Sequence, residues 1–318
     1  MIREKNNFLR FTFGWILCGI VFMVACPKLI VYGQTSAEPV VSSNHAPAQV
    51  LQVTQKKSLI RKIGLVAPVV SAATTAKNVE LQNTLRWNFG AKRQRGWYLY
   101  VSLIQHTIGT KSGAETNEFA RAVALWQQKE GIYPTGIVDG ETLSRLIDFW
   151  QSRRLNTIVY AAPEDLLTAP IADFYDPTRE IELLKVERET YQAYKLMVSA
   201  AASELKLKDG KYLRIVSAFR SREYQAKLRA ASPHSGRAGL AVNSPHFTGR
   251  TLDLFVGGEP TITKDFNRAV QVQAPIYKWL VINASRFGFY PYFYEPWHWE
   301  YVPRNSRPPG TNLPLTPQ

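Results

Sequence analysis

Ser244-Pro-His246-Phe-Thr-Gly249-Arg-Thr251-Leu-Asp253 is the stretch that decides how this chain folds and what it can do, together with Glu295-Pro-Trp-His298 further on. His246 and Asp253 stand an odd number of residues apart, and on a straight strand that puts their side chains on opposite faces. Both can hold one metal ion only if the chain turns between them, and Gly249 is the residue that permits such a turn. His298 offers a third ligand, and Glu295, just before it, offers a further carboxylate. Zinc in catalytic sites takes three ligands of this type and keeps one position for water. A carboxylate beside that water can remove its proton. The residues point to a metal-dependent hydrolase.

Outward from these motifs the chain alternates in character. Arg179 to Leu205 spaces Ile181, Leu184, Tyr191, Tyr194, Met197, Val198 and Ala201 as the apolar face of one helix. Tyr212 to Phe219 reads as a strand, and Arg220-Ser221 opens a helix through Leu228. A short strand is expected near Thr251, and Ala274 to Phe287 reads as a helix that ends at Gly288. Helices and strands without a repeated βα unit argue for an α+β fold.

The motifs, taken together, resemble a known family. Ser244-x-His246-x-x-Gly249-x-Thr251-x-Asp253 followed by Glu295-Pro-Trp-His298-Trp-Glu-Tyr301 is similar to the vancomycin-resistance-type D-alanyl-D-alanine carboxypeptidases of the LAS metallopeptidases. Ser217-Ala-Phe-Arg220-Ser221 resembles that family's Ser-Gly-Tyr-Arg-Ser element, and Tyr277-Lys-Trp-Leu280 and Arg286-Phe-Gly-Phe289 fit the region before its last motif. The resemblance implies a peptidase domain over residues 175–303, with a small antiparallel sheet and flanking helices. It implies His246, Asp253 and His298 as zinc ligands and Glu295 as the catalytic base. Arg220 would stabilise a developing oxyanion or grip substrate, and Ser244 would line the substrate site. The implied reaction is hydrolysis of peptidoglycan stem peptides, with removal of the terminal D-Ala. An endopeptidase on the same fold and a non-catalytic wall-binding protein are the alternatives. Ala218 and Phe219 depart from the family's Gly and Tyr, and Thr251 stands where Ala is common. The aromatic run Phe289-Tyr-Pro-Tyr-Phe-Tyr294 before Glu295 is a further place where specificity can differ.

A second unit precedes this domain. Phe119, Val123 and Trp126 recur at helical spacing, Gly131 closes that helix, and Gly136 and Gly140 flank a turn that carries Asp139. Leu143, Leu146 and Ile147 form another apolar face. Glu118 to Gly131 followed by Thr135-Gly-Ile-Val-Asp-Gly-Glu-Thr-Leu143 resembles the peptidoglycan-binding-domain family, which implies a small three-helix module over residues 95–151 that binds cell-wall polymer. For Phe119 and Trp126 themselves, the spacing is what a bundle core needs. His106 reads as a structural histidine, and His234, in a Ser-Pro-His stretch that echoes Ser244 to His246, as a loop residue.

The N-terminus gives an address. Arg3, Lys5 and Arg10 precede an apolar run from Phe11 to Cys26, resumed at Leu29 to Tyr32, the pattern of a secretory signal. Residues 1–34 are expected to be a signal peptide, with Thr35-Ser36-Ala37 as the place of cleavage, or a membrane anchor. The protein is then exported to the periplasm or cell envelope. Cys18 and Cys26 are the only cysteines, so the exported portion has neither disulfide nor thiolate ligand. A metal must be held by histidine and carboxylate. Residues 35–90, rich in Ala, Ser, Thr, Val and Pro at their start, read as a flexible linker, and 304–318 as a disordered tail. A net charge of +14 suits a polyanionic partner. No zinc-finger or RRM motif supports nucleic acid, so the anionic cell envelope is the expected partner.

Overall fold

A reciprocal cap begins the first helix. Ser71 Oγ accepts from the Thr74 backbone N–H (3.4 Å), and Thr74 Oγ1 accepts from the Ser71 N–H (3.4 Å). The computed structural model describes residues 70–306, apart from residue 208 and residues 233–239. The expected secretory segment, the linker up to residue 69, His234 and the tail from residue 307 lie outside the described residues.

Helix α1 spans Ala72–Thr84, and strands β1 (Arg86–Phe89) and β2 (Lys92–Arg95) follow as an antiparallel hairpin. The described part of the stretch expected to be linker, up to residue 90, is therefore helix and strand. What orders α1 is a polar anchor rather than an apolar stripe. Asn78, fully buried, donates from Nδ2 to the Gly136 carbonyl (2.8 Å) and accepts at Oδ1 from the Val138 N–H (2.9 Å). Hydrophobic periodicity carries no trace of such an anchor.

Helices α2 (Val101–Ile108), α3 (Asn117–Lys129) and α4 (Gly140–Gln151) come next. Thr116 and Asp139 cap α3 and α4 by accepting from the N–H groups of Phe119 and Thr142. Phe119, Val123, Trp126, Leu143 and Leu146 are all buried, and Trp97 stacks on Phe119 at 5.9 Å. Gln127 is a core clamp: its amide donates to Thr142 Oγ1 (2.8 Å) and the Ile137 carbonyl (3.0 Å) and accepts from the Gly136 N–H (2.8 Å).

Beyond this module, β3 (Leu166–Thr168) pairs antiparallel with β4 (Lys185–Glu187), and α5 runs over Arg188–Leu205. The helix expected from Arg179 thus starts later. Its first part is a 3₁₀ turn, Ile181–Leu184, and then strand, because the backbone of β4 is taken up by β3. Strand β5 (Ile215–Ser217), helix α6 (Arg222–Ala231), a 3₁₀ turn over Pro245–Thr248 and strand β6 (Thr251–Leu254) follow. Helix α7 (Asp265–Gln273), which the sequence reading did not assign, leads into α8 (Pro275–Asn283). A 3₁₀ turn to Phe287 then ends at Gly288 in the left-handed region (φ 89°). Strands β7 (Phe289–Pro291) and β8 (His298–Tyr301) close the chain's main sheet.

That sheet has the order β5-β6-β8-β7, antiparallel throughout. Mixed helices with small antiparallel sheets make the fold α+β, as expected. Ile215, Leu252, Leu254, Phe289 and Trp299 of the sheet are buried against Met197 of α5 and Tyr277 and Leu280 of α8. The described residues all fall within one compact unit, so the N-terminal module and the sheet share a core. The shared part is the aromatic segment after β7. Phe293 is buried among Phe89 (5.0 Å), Tyr100 (5.5 Å) and Trp150 (6.1 Å) of the module. Arg268 of α7 adds polar ties, donating to Tyr100 Oη and to the Tyr294 carbonyl (both 3.1 Å).

Candidate metal centre

Cross-strand register brings the ligands together. Asp253 of β6 lies directly opposite His298 of β8 on one side and Ser217 of β5 on the other. Directly opposed residues in an antiparallel pair have Cβ atoms about 4.5–5.5 Å apart and side chains on the same face. His246 reaches the same face by the turn the sequence demanded. Ser244 caps the 3₁₀ turn Pro245–Thr248 by accepting from the His246 N–H (3.3 Å), and Gly249 reverses the chain at φ 66°. A Cβ on Gly249 would also lie 2.8 Å from Leu166 Cδ2 and 3.0 Å from Glu187 Cβ. Glycine is needed there for both conformation and space.

The side chains that meet are all buried. One ligand atom from each of His246, Asp253 and His298 lies within 4.8 Å of the other two. His246 Nδ1–H donates to the Ala218 carbonyl (2.7 Å), which leaves Nε2 as a lone pair facing Asp253 Oδ2 at 3.3 Å. His298 Nε2–H donates to Glu300 Oε1 (3.1 Å), which turns Nδ1 toward Asp253 Oδ1 at 3.1 Å. Each ring therefore has one nitrogen anchored to the protein and the other aimed at the same carboxylate. This is the arrangement by which metal-binding histidines are oriented. A set of two imidazoles and one carboxylate fits zinc with a position left open. Among the described residues no other cluster has this geometry.

Glu295 stands beside the ligands, its Oε2 3.7 Å from His298 Nδ1. Burial lifts its carboxyl from the usual 4.5 to about 7, with the neighbouring Asp253 pushing the same way and His298 and Arg220 opposing. Burial lowers His246 to about 4, assisted by the Arg220 charge. At His298 burial works against the cation, but hydrogen bonds to Asp253 and Glu300 outweigh it and raise the imidazole to about 9. Asp253 is held well below the carboxylate range: burial opposes its charge, and His246, His298 and Arg220 together overcome that.

Arg220 is buried and turned onto the ligand carboxylate. Its Nη2 donates to Asp253 Oδ2 (2.6 Å) and its Nε to Ser217 Oγ (2.9 Å). A cleft of about 850 Å³ opens over the centre, with Arg220, Ser244, His246, Asp253, Glu295 and His298 in its wall. All six residues singled out in the sequence thus line one cavity. Glu300 and Arg154 are among the residues of that wall to which the sequence reading gave no role. Phe219 points elsewhere, edge-on to Tyr160 at 5.5 Å. Trp297 and Trp299 are both buried, Trp297 in the wall of the cleft, and Trp299 Nε1 donates to the Pro296 carbonyl. His106, whose imidazole burial lowers, belongs to α2 in the module.

A buried His-Asp-His cluster with an adjacent raised carboxyl, in a cleft on a small antiparallel sheet, defines a metallopeptidase-like centre. Residues 183–304 match the family model of VanY, D-alanyl-D-alanine carboxypeptidase, and so carry the domain whose motifs were read in the sequence. Among solved structures the chain is similar to the LdcB LD-carboxypeptidase, at 26% identity over 44% of this chain and 69% of that one, with a TM-score of 0.33. It is also similar to a mutant of the vancomycin resistance D,D-pentapeptidase VanY in complex with Zn(II), at 20% identity over 49% of this chain and 90% of that one, with a TM-score of 0.31. No curated protein matches the chain.

Proposed function

We propose that this protein is an exported zinc-dependent carboxypeptidase that removes the terminal D-Ala from peptidoglycan stem peptides. The observation that carries the reading is the convergence of His246, Asp253 and His298 within 4.8 Å of one another, beside Glu295, inside the segment that matches the carboxypeptidase family model. His246 Nε2, an Asp253 oxygen and His298 Nδ1 are the atoms that would hold the ion. Bound zinc supplies Lewis-acid polarisation of the scissile carbonyl and lowers the pKa of water.

The remaining steps belong to the chain's own groups. Glu295, buried and raised toward neutrality, accepts the proton of the attacking water and then delivers it to the leaving amine. Arg220 holds Asp253 in place and keeps a fixed positive charge against the cleft, where an oxygen that gains negative charge is favoured. Ser244 lines the same cleft as a hydrogen-bonding partner for substrate. Export follows from the basic and apolar start of the sequence. Among the described residues no helix is long and apolar enough to cross a membrane. The positive charge of the chain suits the anionic envelope in which such a substrate lies.

The test is direct. The protein loaded with zinc and given stem peptides ending in D-Ala-D-Ala is expected to release free D-Ala, and metal chelation is expected to stop it. Cleavage confined to cross-linked dimers would replace the carboxypeptidase by an endopeptidase. A protein that takes up no zinc would remove the hydrolase reading.

A further inference from the structure

Glu300 is fully buried, and two of its three hydrogen-bond partners lie outside the matched peptidase segment. One oxygen, Oε1, accepts from His298 Nε2 (3.1 Å) and is ion-paired with Arg154 Nη2. The other, Oε2, accepts from the Leu155 backbone N–H (3.0 Å). Residues 154 and 155 lie directly after α4, outside the segment 183–304 that matches the peptidase family. Arg154 is itself held from the module side, where its Nη1 donates to Gln151 Oε1 (2.9 Å) at the end of α4. Its guanidinium also lies over the Tyr292 ring at 4.2 Å, and Tyr292 in turn meets the His298 ring edge-on at 5.5 Å. The imidazole that faces Asp253 is thus fixed by two contacts, and Arg154 stands behind both.

We propose that Arg154 is a positioning residue of the metal centre. By holding Glu300 it fixes the His298 ring with Nδ1 toward Asp253, so the stretch leaving the N-terminal module, tied to its last helix through Gln151, completes a site that the peptidase domain alone leaves loose. The inference rests on the reading of His246, Asp253 and His298 as metal ligands. It differs from the simpler view that the ion pair only fastens the module to the sheet. A buried pair is weak evidence for stability by itself. A carboxylate that receives the far N–H of a metal-binding histidine typically changes metal affinity 10- to 100-fold when lost.

The two views separate in the full chain by zinc affinity, measured by competition with a chromophoric chelator. Arg154→Met keeps an unbranched side chain over Tyr292 and loses the donors. Glu300→Gln keeps shape and loses the charge. Both are expected to weaken zinc binding about 10- to 100-fold, and to lower kcat with KM little changed. Arg154→Lys is expected to recover part of the affinity. Asn78→Ala loosens α1 without touching these groups, so it is expected to lower the melting temperature while zinc affinity stays at the wild-type value. Wild-type zinc affinity in Arg154→Met and Glu300→Gln would overturn the proposal and leave the carboxypeptidase reading standing. Equal loss of affinity in Asn78→Ala would overturn it too, by showing that any loosening of the module has this effect. A wild-type chain that binds no zinc would instead bring down the metal reading on which both rest.

Discussion

Glu295 shows how a single buried residue links chemistry to stability. Its folded pKa, about 7, lies above the ordinary 4.5 because burial penalises the carboxylate. The unfolded chain gives up this proton at lower pH than the folded one, so stability falls as pH rises from about 4.5 to 7. Above that window the cost is fully present, on the order of 3 kcal/mol. Glu295→Gln is therefore expected to melt higher than wild type at about pH 8 in chelator-treated protein, and the two are expected to converge near pH 4. The same variant is expected to lose 10²- to 10⁴-fold in kcat. A Glu295→Gln protein that melts no higher at pH 8, or retains full turnover, would contradict the assignment. The four residues His246, Asp253, Glu295 and His298 were legible because their types and spacings announce metal chemistry. Glu300 was partly so, since two residues along a strand share a face, yet its role depends on Arg154, which no local pattern connects to it. Arg220 was read as a group for an oxyanion or for substrate, whereas its bond to Asp253, which depends on how β5 pairs with β6, had no signal in the sequence.

At the scale of elements, the turn between His246 and Asp253 is the decisive one. Gly249→Ala meets two obstacles, the left-handed backbone (φ 66°) and the contact with Leu166 and Glu187 of the β3–β4 pair. Together these are expected to cost roughly 2–4 kcal/mol. They are also expected to weaken zinc binding, because His246 is carried by that turn. Denaturant titration showing a loss under about 1 kcal/mol would mean that the turn adapts. Elements with strong periodicity or clear caps were legible, as α3 and α4 show, while the helix expected over Ala274 to Phe287 is α8 to Asn283 and then a 3₁₀ turn that stops at Gly288. Helix α1 was not, because Asn78 and a capping box hold it where an apolar stripe was sought. Strand β4 hid inside a helical pattern, since its place is set by pairing with β3 and not by its own residues.

For the whole molecule, the sequence suggested two units, over 95–151 and 175–303, and the structure gives them one core. The aromatic run before Glu295 supplies it: Phe293 sits among Phe89, Tyr100 and Trp150, and Arg268 ties Tyr100 to Tyr294. Such sharing was invisible in composition, because aromatic residues in a loop read equally well as substrate contacts. Scanning calorimetry is expected to show one cooperative transition, with calorimetric and van't Hoff enthalpies in agreement. Two separated transitions would show that the units unfold independently. The Arg154–Glu300 bond has one more consequence. Its partners stand 146 positions apart, and Glu300 belongs to the last strand described. Closing so long a loop is among the slower events of folding. The bond that holds Glu300 behind His298 is therefore expected to form late, after the sheet and the helices before it have met.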